Sequence, residues 1–200
     1  MCGFAGYFTK DTTFFDTKAE NILRHMSSAI SHRGPDSVGY WYDGQKGLAF
    51  THRRLAIVDL SAEGIQPMHS STGRYVLVLN GEIYNHKELR RLLEAQQNLQ
   101  LGWRGYSDTE SLLMCFEHWG IEKTLQLSKG MFAFALWDYV NDELVLARDR
   151  FGEKPLYYGW QGKGVSANFL FASELSALQQ HPAFEDKIDR HSVANFLNYK

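Results

Sequence analysis

Residues 131–137 read Met-Phe-Ala-Phe-Ala-Leu-Trp, and no other stretch says as much about the architecture. Every position is apolar, and large side chains alternate with small ones. Successive side chains of a strand point to opposite faces, so the pattern predicts a strand that is buried on both faces. One face of the strand then packs through large side chains, and the other carries small side chains that let the neighbouring layer approach closely.

Strands and helices are predicted on both sides of this segment. Residues 140–143 (Val-Asn-Asp-Glu) form the predicted turn of a hairpin that returns through 144–147. Further strands are predicted near 2–8, 37–43, 46–52, 74–80, 156–161 and 168–173. Helices are predicted after three capping-box spacings, Thr17 to Glu20, Asn85 to Glu88 and Ser107 to Glu110, and over 174–180. Together these elements predict two stacked sheets covered by helices.

The composition excludes several classes of protein. The chain has 200 residues, 44% hydrophobic and 22% charged, as expected of a soluble globular domain that needs no disulfide or metal. A formal net charge of −2 gives no sign of a surface for nucleic acid or membrane. No apolar run approaches the roughly 18 residues of a membrane span, and the N-terminus lacks a signal-peptide pattern. The cysteines number two and the histidines show no metal-ligand spacing, so we expect a cytoplasmic protein without a metal site.

Cys2 is the strongest candidate for a nucleophile, because it becomes the N-terminus once Met1 is removed. A small second residue normally permits that removal. The residue then carries a thiol and an α-amine, with unperturbed pKa values of about 8.5 and about 7.7–8.0. Such an amine can act as the base for its own side chain. Taken alone, the position is equally explained by a cysteine that packs in a first strand.

Asn80 and Gly81 follow the apolar run 76–79 and admit two interpretations. Asn-Gly after an apolar strand favours a type I′ hairpin turn, although the return strand would be short. Alternatively, the Asn80 amide and the Gly81 backbone N–H form an oxyanion hole, in which each donor contributes ~3 kcal/mol to lowering the barrier.

Seven motifs occur in the order in which one known family has them. They are Cys2, 33–36 (Arg-Gly-Pro-Asp), 52–59 (His-Arg-Arg-Leu-Ala-Ile-Val-Asp), 80–85 (Asn-Gly-Glu-Ile-Tyr-Asn), 107–108 (Ser-Asp), 130–134 (Gly-Met-Phe-Ala-Phe) and 148–156 (Arg-Asp-Arg-Phe-Gly-Glu-Lys-Pro-Leu). Together they resemble the class II glutamine amidotransferase domain of glutamine-hydrolysing asparagine synthetases. The resemblance covers about residues 2–180, and it is closer to this branch than to the phosphoribosyl- or sugar-amidating branches.

The resemblance implies an α+β fold of the N-terminal nucleophile hydrolase type, a four-layer αββα sandwich of two mainly antiparallel sheets. It also implies a mechanism in which Cys2 attacks the side-chain amide of L-glutamine and its own α-amine shuttles the proton. Asn80 and Gly81 would hold the oxyanion. Ammonia would then leave, and water would release glutamate from a γ-glutamyl thioester.

The resemblance implies a set of substrate-binding residues as well. Arg54 would bind the α-carboxylate of glutamine, and Asp108 would meet the α-ammonium with Glu82 beside it. Main-chain groups would line the pocket at Leu55, Ile57 and Val58. Taken alone, Arg54 is equally explained as a solvated charge and Asp108 as a residue that starts a helix.

Other conspicuous residues are assigned structural roles. Segments 33–36 and 148–154 are expected to support the wall of the active site without direct chemistry. His52 is interpreted as structural, since the α-amine makes a second base unnecessary. Cys115 lies in an apolar helical stretch and is predicted to be a buried, inert thiol.

Residues 181–200 are expected to lie outside the amidotransferase domain. Asp189 is predicted to cap a helix that the last residue interrupts. We expect 2–180 to be a glutamine amidotransferase type 2 domain, and 181–200 to be a linker and the start of a missing C-terminal ATP-dependent synthetase domain. By the resemblance, ATP and Mg would be needed only there, so this chain would hold no cofactor. The expected partners are L-glutamine and that synthetase domain, and the sequence carries no signal for an oligomeric state.

Two further functions are compatible with the sequence. The chain could be a catalytically silent glutamine-binding or interaction module that needs the missing synthetase domain. It could also be an N-terminal nucleophile hydrolase for another amide, although Arg54 and Asp108 suit a free amino acid.

Overall fold

The computed structural model describes residues 2–13, 15–57, 59, 61–97 and 101–198, whose strands form two antiparallel sheets. The strands are β1 (Gly3–Thr9), β2 (Ser37–Asp43), β3 (Leu48–Arg54), β4 (Met68–His69), β5 (Tyr75–Ile83), β6 (Gly130–Asp138), β7 (Glu143–Arg148), β8 (Tyr157–Gln161) and β9 (Asn168–Ala172). One sheet has the order β2-β3-β1-β9-β8, and the other has the order β4-β5-β6-β7. The predicted strands are confirmed with boundary shifts of at most three residues, whereas β4 was not predicted.

Helices cover the outer face of each sheet. The α-helices of the described chain are α1 (Phe15–Ala29), α2 (His86–Gln97), α3 (Asp108–Trp119), α4 (Ile121–Leu127), α5 (Leu175–Leu178) and α6 (Arg190–Asn198), of which α6 has no buried residue. Helices α1 and α5 pack on the five-stranded sheet, and α2 and α3 pack on the four-stranded sheet. The expected four-layer αββα sandwich is therefore confirmed. Within the described part of the chain, no helix has both the length and the apolar character to cross a bilayer.

Strand β6 carries the alternation that the sequence led us to expect. Phe132, Phe134 and Leu136 pack in the cluster beneath the helices of the four-stranded sheet. Ala133 and Ala135 face the five-stranded sheet, where their small side chains allow the two sheets to approach closely. The strand is thus buried on both faces, with bulk toward the helices and small residues between the sheets.

Helix α1 begins earlier than predicted. The capping-box prediction placed its start at Thr17, but the helix begins at Phe15, so that prediction is wrong. Phe15 is buried, and its N–H donates to the carbonyl of Thr12 in a preceding turn (3.1 Å). Glu20 accepts from Arg24 one turn later instead of reaching back to a cap. Burial of an aromatic side chain sets this helix start, and a charged pair accounts for the glutamate.

The other two capping-box predictions give the correct helix starts. Ser107 caps α3 by accepting from the N–H of Glu110 (3.2 Å). Helix α2 begins at His86 as expected. The Asn85 side chain, however, accepts from the N–H of Lys129 (2.8 Å) and so ties the start of α2 to the residue that precedes β6.

Candidate active site

The candidate site lies where the apolar core between the sheets ends. Along β5, Val76 and Val78 point inward into that core, and the next inward residue is Asn80. The type I′ turn considered for Asn80 is excluded, because β5 continues to Ile83. On the facing sheet Phe4 points into the same core, and Cys2 is the next residue of that face. Alternation in two facing strands thus brings Cys2 and Asn80 to the same end of the sandwich.

A cavity of about 300 Å³ opens at this end. It is lined by Cys2, Arg54, Leu55, Ile57, Asp59, Gly64, Gln66, Leu79, Asn80, Gly81, Glu82, Ser107, Asp108, Thr109, Met131 and Lys154. The structure therefore brings together every predicted site residue that it describes. Val58 was also predicted, but it lies outside the described residues.

The Cys2 thiol is held by the loop that follows β3. Its Sγ accepts from the backbone N–H of Leu55 (3.3 Å) and lies 3.5 Å from the carbonyl oxygen of the same residue. Burial raises the pKa of the Cys2 thiol above its ordinary value. The resting thiol is therefore protonated at neutral pH, and a nucleophilic role requires a base that removes its proton during the reaction.

Asn80 is buried without a partner. Its side chain is 1% exposed, and neither its Oδ1 nor its Nδ2 finds a hydrogen-bond partner among the described residues. A buried amide left unpaired costs about 1–3 kcal/mol, so native proteins rarely keep one without a reason. The amide lines the cavity, where a substrate oxygen could accept its hydrogen bond.

Gly81 adds a second donor on the edge of β5. Alternate N–H groups of this strand point away from β6: that of Leu79 donates to Gln66 Oε1 (2.6 Å), and that of Ile83 donates to Asp108 Oδ2 (2.8 Å). Gly81 lies between them, so its N–H points to the same edge and toward the cavity. A Cβ at this position would come within 2.2 Å of the Met131 carbonyl oxygen, which explains the glycine.

Arg54 presents a buried positive charge. Its side chain is 9% exposed, and its guanidinium donates to the carbonyl oxygens of Ser61 (2.9 Å) and Asp59. The direct partners of the guanidinium among the described residues are backbone carbonyls, and its charge also acts on the Asp59 carboxylate. Gly64 packs against the guanidinium, and a Cβ there would approach Nη2 to 2.2 Å.

Asp108 presents the opposite charge at the first turn of α3. It is 7% exposed, and one carboxylate oxygen accepts from Ile83 N–H. Burial, and to a smaller extent the charge of Glu82, raises the pKa of the Asp108 carboxyl. Buried charges are normally paired, so separate positive and negative groups on one cavity fit a zwitterionic ligand.

The segments assigned to architecture do hold the site together. Arg33 Nε donates to the Cys2 carbonyl oxygen (2.9 Å), and its Nη1 pairs with Glu174 (2.8 Å). Asp149 accepts from the backbone N–H groups of 132, 151, 153 and 154, which folds the 149–155 loop onto β6. That loop, in the segment 148–154 expected to support the wall of the site, places Lys154, 3% exposed, on the cavity.

His52 and Gln66 complete the surroundings of Asn80. His52 is fully buried, and burial lowers its pKa to about 4, so the ring is neutral at neutral pH. Its Nε2–H donates to the Leu79 carbonyl oxygen (3.0 Å), in keeping with a structural role. Gln66 was not predicted to belong to the site. It lies in a loop, where no periodicity marks a buried side chain.

The residues described by the structure contain no group of three or more His, Cys, Asp or Glu side chains that could hold a metal ion.

Three comparisons with known proteins bear on this arrangement. A family profile described as "Glutamine amidotransferase domain" matches residues 1–200. Asparagine synthetase [glutamine-hydrolyzing] 1 of Bacillus subtilis is 38% identical over 206 residues, covering 100% of this chain and 30% of the relative. Asparagine synthetase [glutamine-hydrolyzing] 3 of the same organism is 36% identical, covering 98% and 30%. The chain thus spans about 30% of the length of these curated relatives.

Two other similar proteins show how far the likeness extends. Amidase chry2 of Gibberella zeae is 34% identical over 165 residues, which are 79% of this chain and 24% of that protein. Among solved structures, the glutamine phosphoribosylpyrophosphate amidotransferase of B. subtilis superposes with a TM-score of 0.69 at 23% identity, over 89% of this chain and 43% of that one. This likeness confirms the expected N-terminal nucleophile hydrolase fold.

Proposed function

Because the chain belongs to the glutamine amidotransferase domain family, we propose that the cavity at Cys2 hydrolyses L-glutamine to glutamate and ammonia. One observation carries the proposal. Within the described residues, the unpartnered amide of Asn80 lines the same cavity as the Cys2 thiol and the buried, oppositely charged side chains of Arg54 and Asp108. A nucleophile, an oxyanion donor and two charges for a zwitterion are what hydrolysis of a free amino acid's side-chain amide needs.

The reaction starts with proton transfer from the Cys2 thiol. With Met1 removed, the α-amine of Cys2 takes that proton, and Sγ attacks the side-chain carbonyl carbon of glutamine. A base with a pKa of about 7.7–8.0 suits this transfer, because the optimum lies near the working pH. The amine then gives its proton to the leaving nitrogen as the C–N bond breaks. Ammonia departs, and a γ-glutamyl thioester remains on Cys2.

The two donors of β5 stabilise the negative oxygen of each tetrahedral intermediate. Asn80 Nδ2–H and Gly81 N–H both lie at the cavity, and removal of one such donor costs about 2.7–4 kcal/mol in the barrier. Water, activated by the same α-amine, then attacks the thioester carbon. Its hydroxyl completes the glutamate carboxyl group, and the sulfur regains a proton.

Specificity comes from the two buried charges. The Arg54 guanidinium binds the α-carboxylate of glutamine with the donors that its carbonyl contacts leave over. The Asp108 carboxylate, which accepts from Ile83 N–H, also accepts from the α-ammonium, with Glu82 adding negative charge nearby. Backbone groups of Leu55 and Ile57 border the same pocket. The Val58 backbone is proposed as a further contact.

The ammonia formed here is proposed to serve a synthetase segment of the kind that the relatives' names indicate, with aspartate as the default acceptor and ATP and Mg required only there. On this proposal 2–180 is the amidotransferase unit, and 181–200 leads to the synthetase segment. Helix α6 supports it, since Val193, Phe196 and Leu197 are exposed along it. Both cysteines are free thiols, which supports the cytoplasm as the place of action.

The test is product release by the purified chain with Cys2 verified as the N-terminal residue. L-Glutamine is expected to give glutamate and ammonia in equal amounts. A primary amide of the same length without α-substituents should be a poor substrate, because it gives Arg54 and Asp108 nothing to bind.

Two outcomes would contradict the proposal. Heat of glutamine binding without any product would instead identify a silent glutamine-binding module. Equal turnover of the unsubstituted amide would identify a hydrolase for another class of amide.

A further inference from the structure

On its β4 side, strand β5 loses its hydrogen-bonded neighbour just before the site. Strand β4 pairs Met68 with Leu77 and His69 with Val76, and then ends. Two more residues in the same register would place Gln66 opposite Leu79. Pro67 lies between Met68 and Gln66, and the pairing of β4 with β5 does not extend past Met68 to Gln66.

The Gln66 side chain takes the place of the missing strand. It is 6% exposed, and its Oε1 accepts from Leu79 N–H (2.6 Å), while its Nε2 donates to Thr109 Oγ1 (3.2 Å). Both ends of this amide are thus engaged. The side chain links the edge of β5 to the first turn of α3, where Asp108 precedes Thr109.

The carbonyl of Leu79 is fixed from the facing sheet. His52 Nε2–H donates to it at 3.0 Å. The Leu79 carbonyl belongs to the planar peptide bond between Leu79 and Asn80. Fixing this carbonyl therefore fixes the orientation of the backbone from which the Asn80 side chain projects. Gln66 and His52 therefore hold the N–H and the C=O of one residue, immediately before an amide that has no other anchor.

We propose that Gln66 is a positioning residue that stands in for a β-strand at the edge of β5 and thereby aligns the oxyanion donors of Asn80 and Gly81. The inference rests on the proposed glutaminase function. Its physical basis is that an oxyanion hole works only when its donors point to where charge develops. A misplacement of about 1 Å in such a site costs on the order of 100-fold in rate.

The test compares Gln66→Met with the matched control Gln126→Met on the exposed surface of α4. Methionine has a similar volume but cannot accept from Leu79 N–H or donate to Thr109. We expect kcat for Gln66→Met to fall about 10- to 100-fold, with KM for glutamine within twofold, since Arg54 and Asp108 still bind the substrate. The control should match the wild type in both parameters.

Hydrogen exchange at the Leu79 amide supplies the readout that a general loss of stability would not give. In Gln66→Met the backbone N–H of Leu79 should exchange faster. The backbone N–H groups of β6, which pairs with the opposite edge of β5, should keep their protection. Unchanged kcat, unchanged Leu79 exchange or a parallel rise in KM would each overturn the proposal.

A second variant keeps the test decisive if Gln66→Met does not fold. In Gln66→Glu a carboxyl oxygen still accepts from Leu79 N–H, so Leu79 protection and kcat within about threefold of the wild type are expected. Loss of kcat with Leu79 protection intact would overturn the proposal. If the wild type itself releases no glutamate, the proposed function fails, but Leu79 exchange still shows whether Gln66 holds the strand edge.

Discussion

The space between the two sheets has a dry end and a polar end, and both are built from the same strands. At the dry end Val76 and Val78 of β5 face Phe50 and Phe171, whose ring centroids lie 5.6 Å apart. At the polar end the next inward residue of β5 is Asn80, whose amide has no partner within the described residues.

This difference separates stability from chemistry along a single strand. The dry end gains free energy from packing, whereas the polar end holds the Asn80 amide, unpartnered among the described residues, and the charges of Arg54 and Asp108, whose burial costs free energy. Rigid packing at one end holds the donors in place at the other. The predictions below change one end at a time.

The largest expected effect concerns the two cysteines. Cys2→Ala should lower glutamate release below detection, because no other group in the cavity can form the thioester. Cys115→Ala, on the buried face of α3, should leave activity per folded molecule unchanged. Steady-state assays on protein of verified fold check both. Residual turnover by Cys2→Ala would exclude the mechanism.

A substitution that leaves a void in the packing at the dry end should lower the free energy of unfolding and leave catalysis unchanged. Phe50 is fully buried, so Phe50→Ala is expected to lower the free energy of unfolding by about 3–5 kcal/mol. Urea unfolding measures this loss, and kcat per folded molecule should stay within about twofold. A large loss of kcat in well-folded protein would show that the two ends are not separable.

The reverse result is expected for Asn80→Ala. Its kcat should fall about 100- to 1,000-fold, because one oxyanion donor is lost. The free energy of unfolding should not fall by the amount typical of a broken buried hydrogen bond, since the Asn80 amide has no bond to break. The same assays as for Phe50→Ala check it. A strongly destabilised variant with normal kcat would reverse the assignment of the two ends.

A smaller effect is expected from pH. Burial raises the pKa of Asp108, so as the pH falls its carboxylate is protonated earlier than that of an ordinary aspartate. The α-ammonium of glutamine then loses its partner, and kcat/KM should fall up to about tenfold per pH unit below that pKa. In Asp108→Asn this additional acidic limb should be absent, leaving only the limb set by protonation of the Cys2 α-amine, and KM should be high throughout. Identical acidic limbs in both proteins would remove Asp108 from substrate binding.

The sequence predicted the architecture well where one physical rule dominates. The alternation of large and small residues in β6 correctly predicted burial on both faces, because successive side chains of a strand point alternately to its two faces. The start of α1 was missed because burial of Phe15 outweighs the local capping signal at Thr17. Tertiary contacts of this kind are invisible to a local pattern.

The candidate site was predictable only in part. Ordered motifs identified Cys2, Arg54 and Asp108, and the structure places all three on one cavity. Gln66 was missed, because it lies in a loop that reaches the cavity through long-range contacts.

The most direct test of the central claim is to find the covalent intermediate. Reaction of the chain with glutamine is quenched in acid during turnover, digested and mapped by mass spectrometry. We predict a γ-glutamyl group on the peptide that begins with Cys2, and none on that peptide from Cys2→Ala. Turnover with no adduct at Cys2, or with the adduct on another residue, would contradict the account.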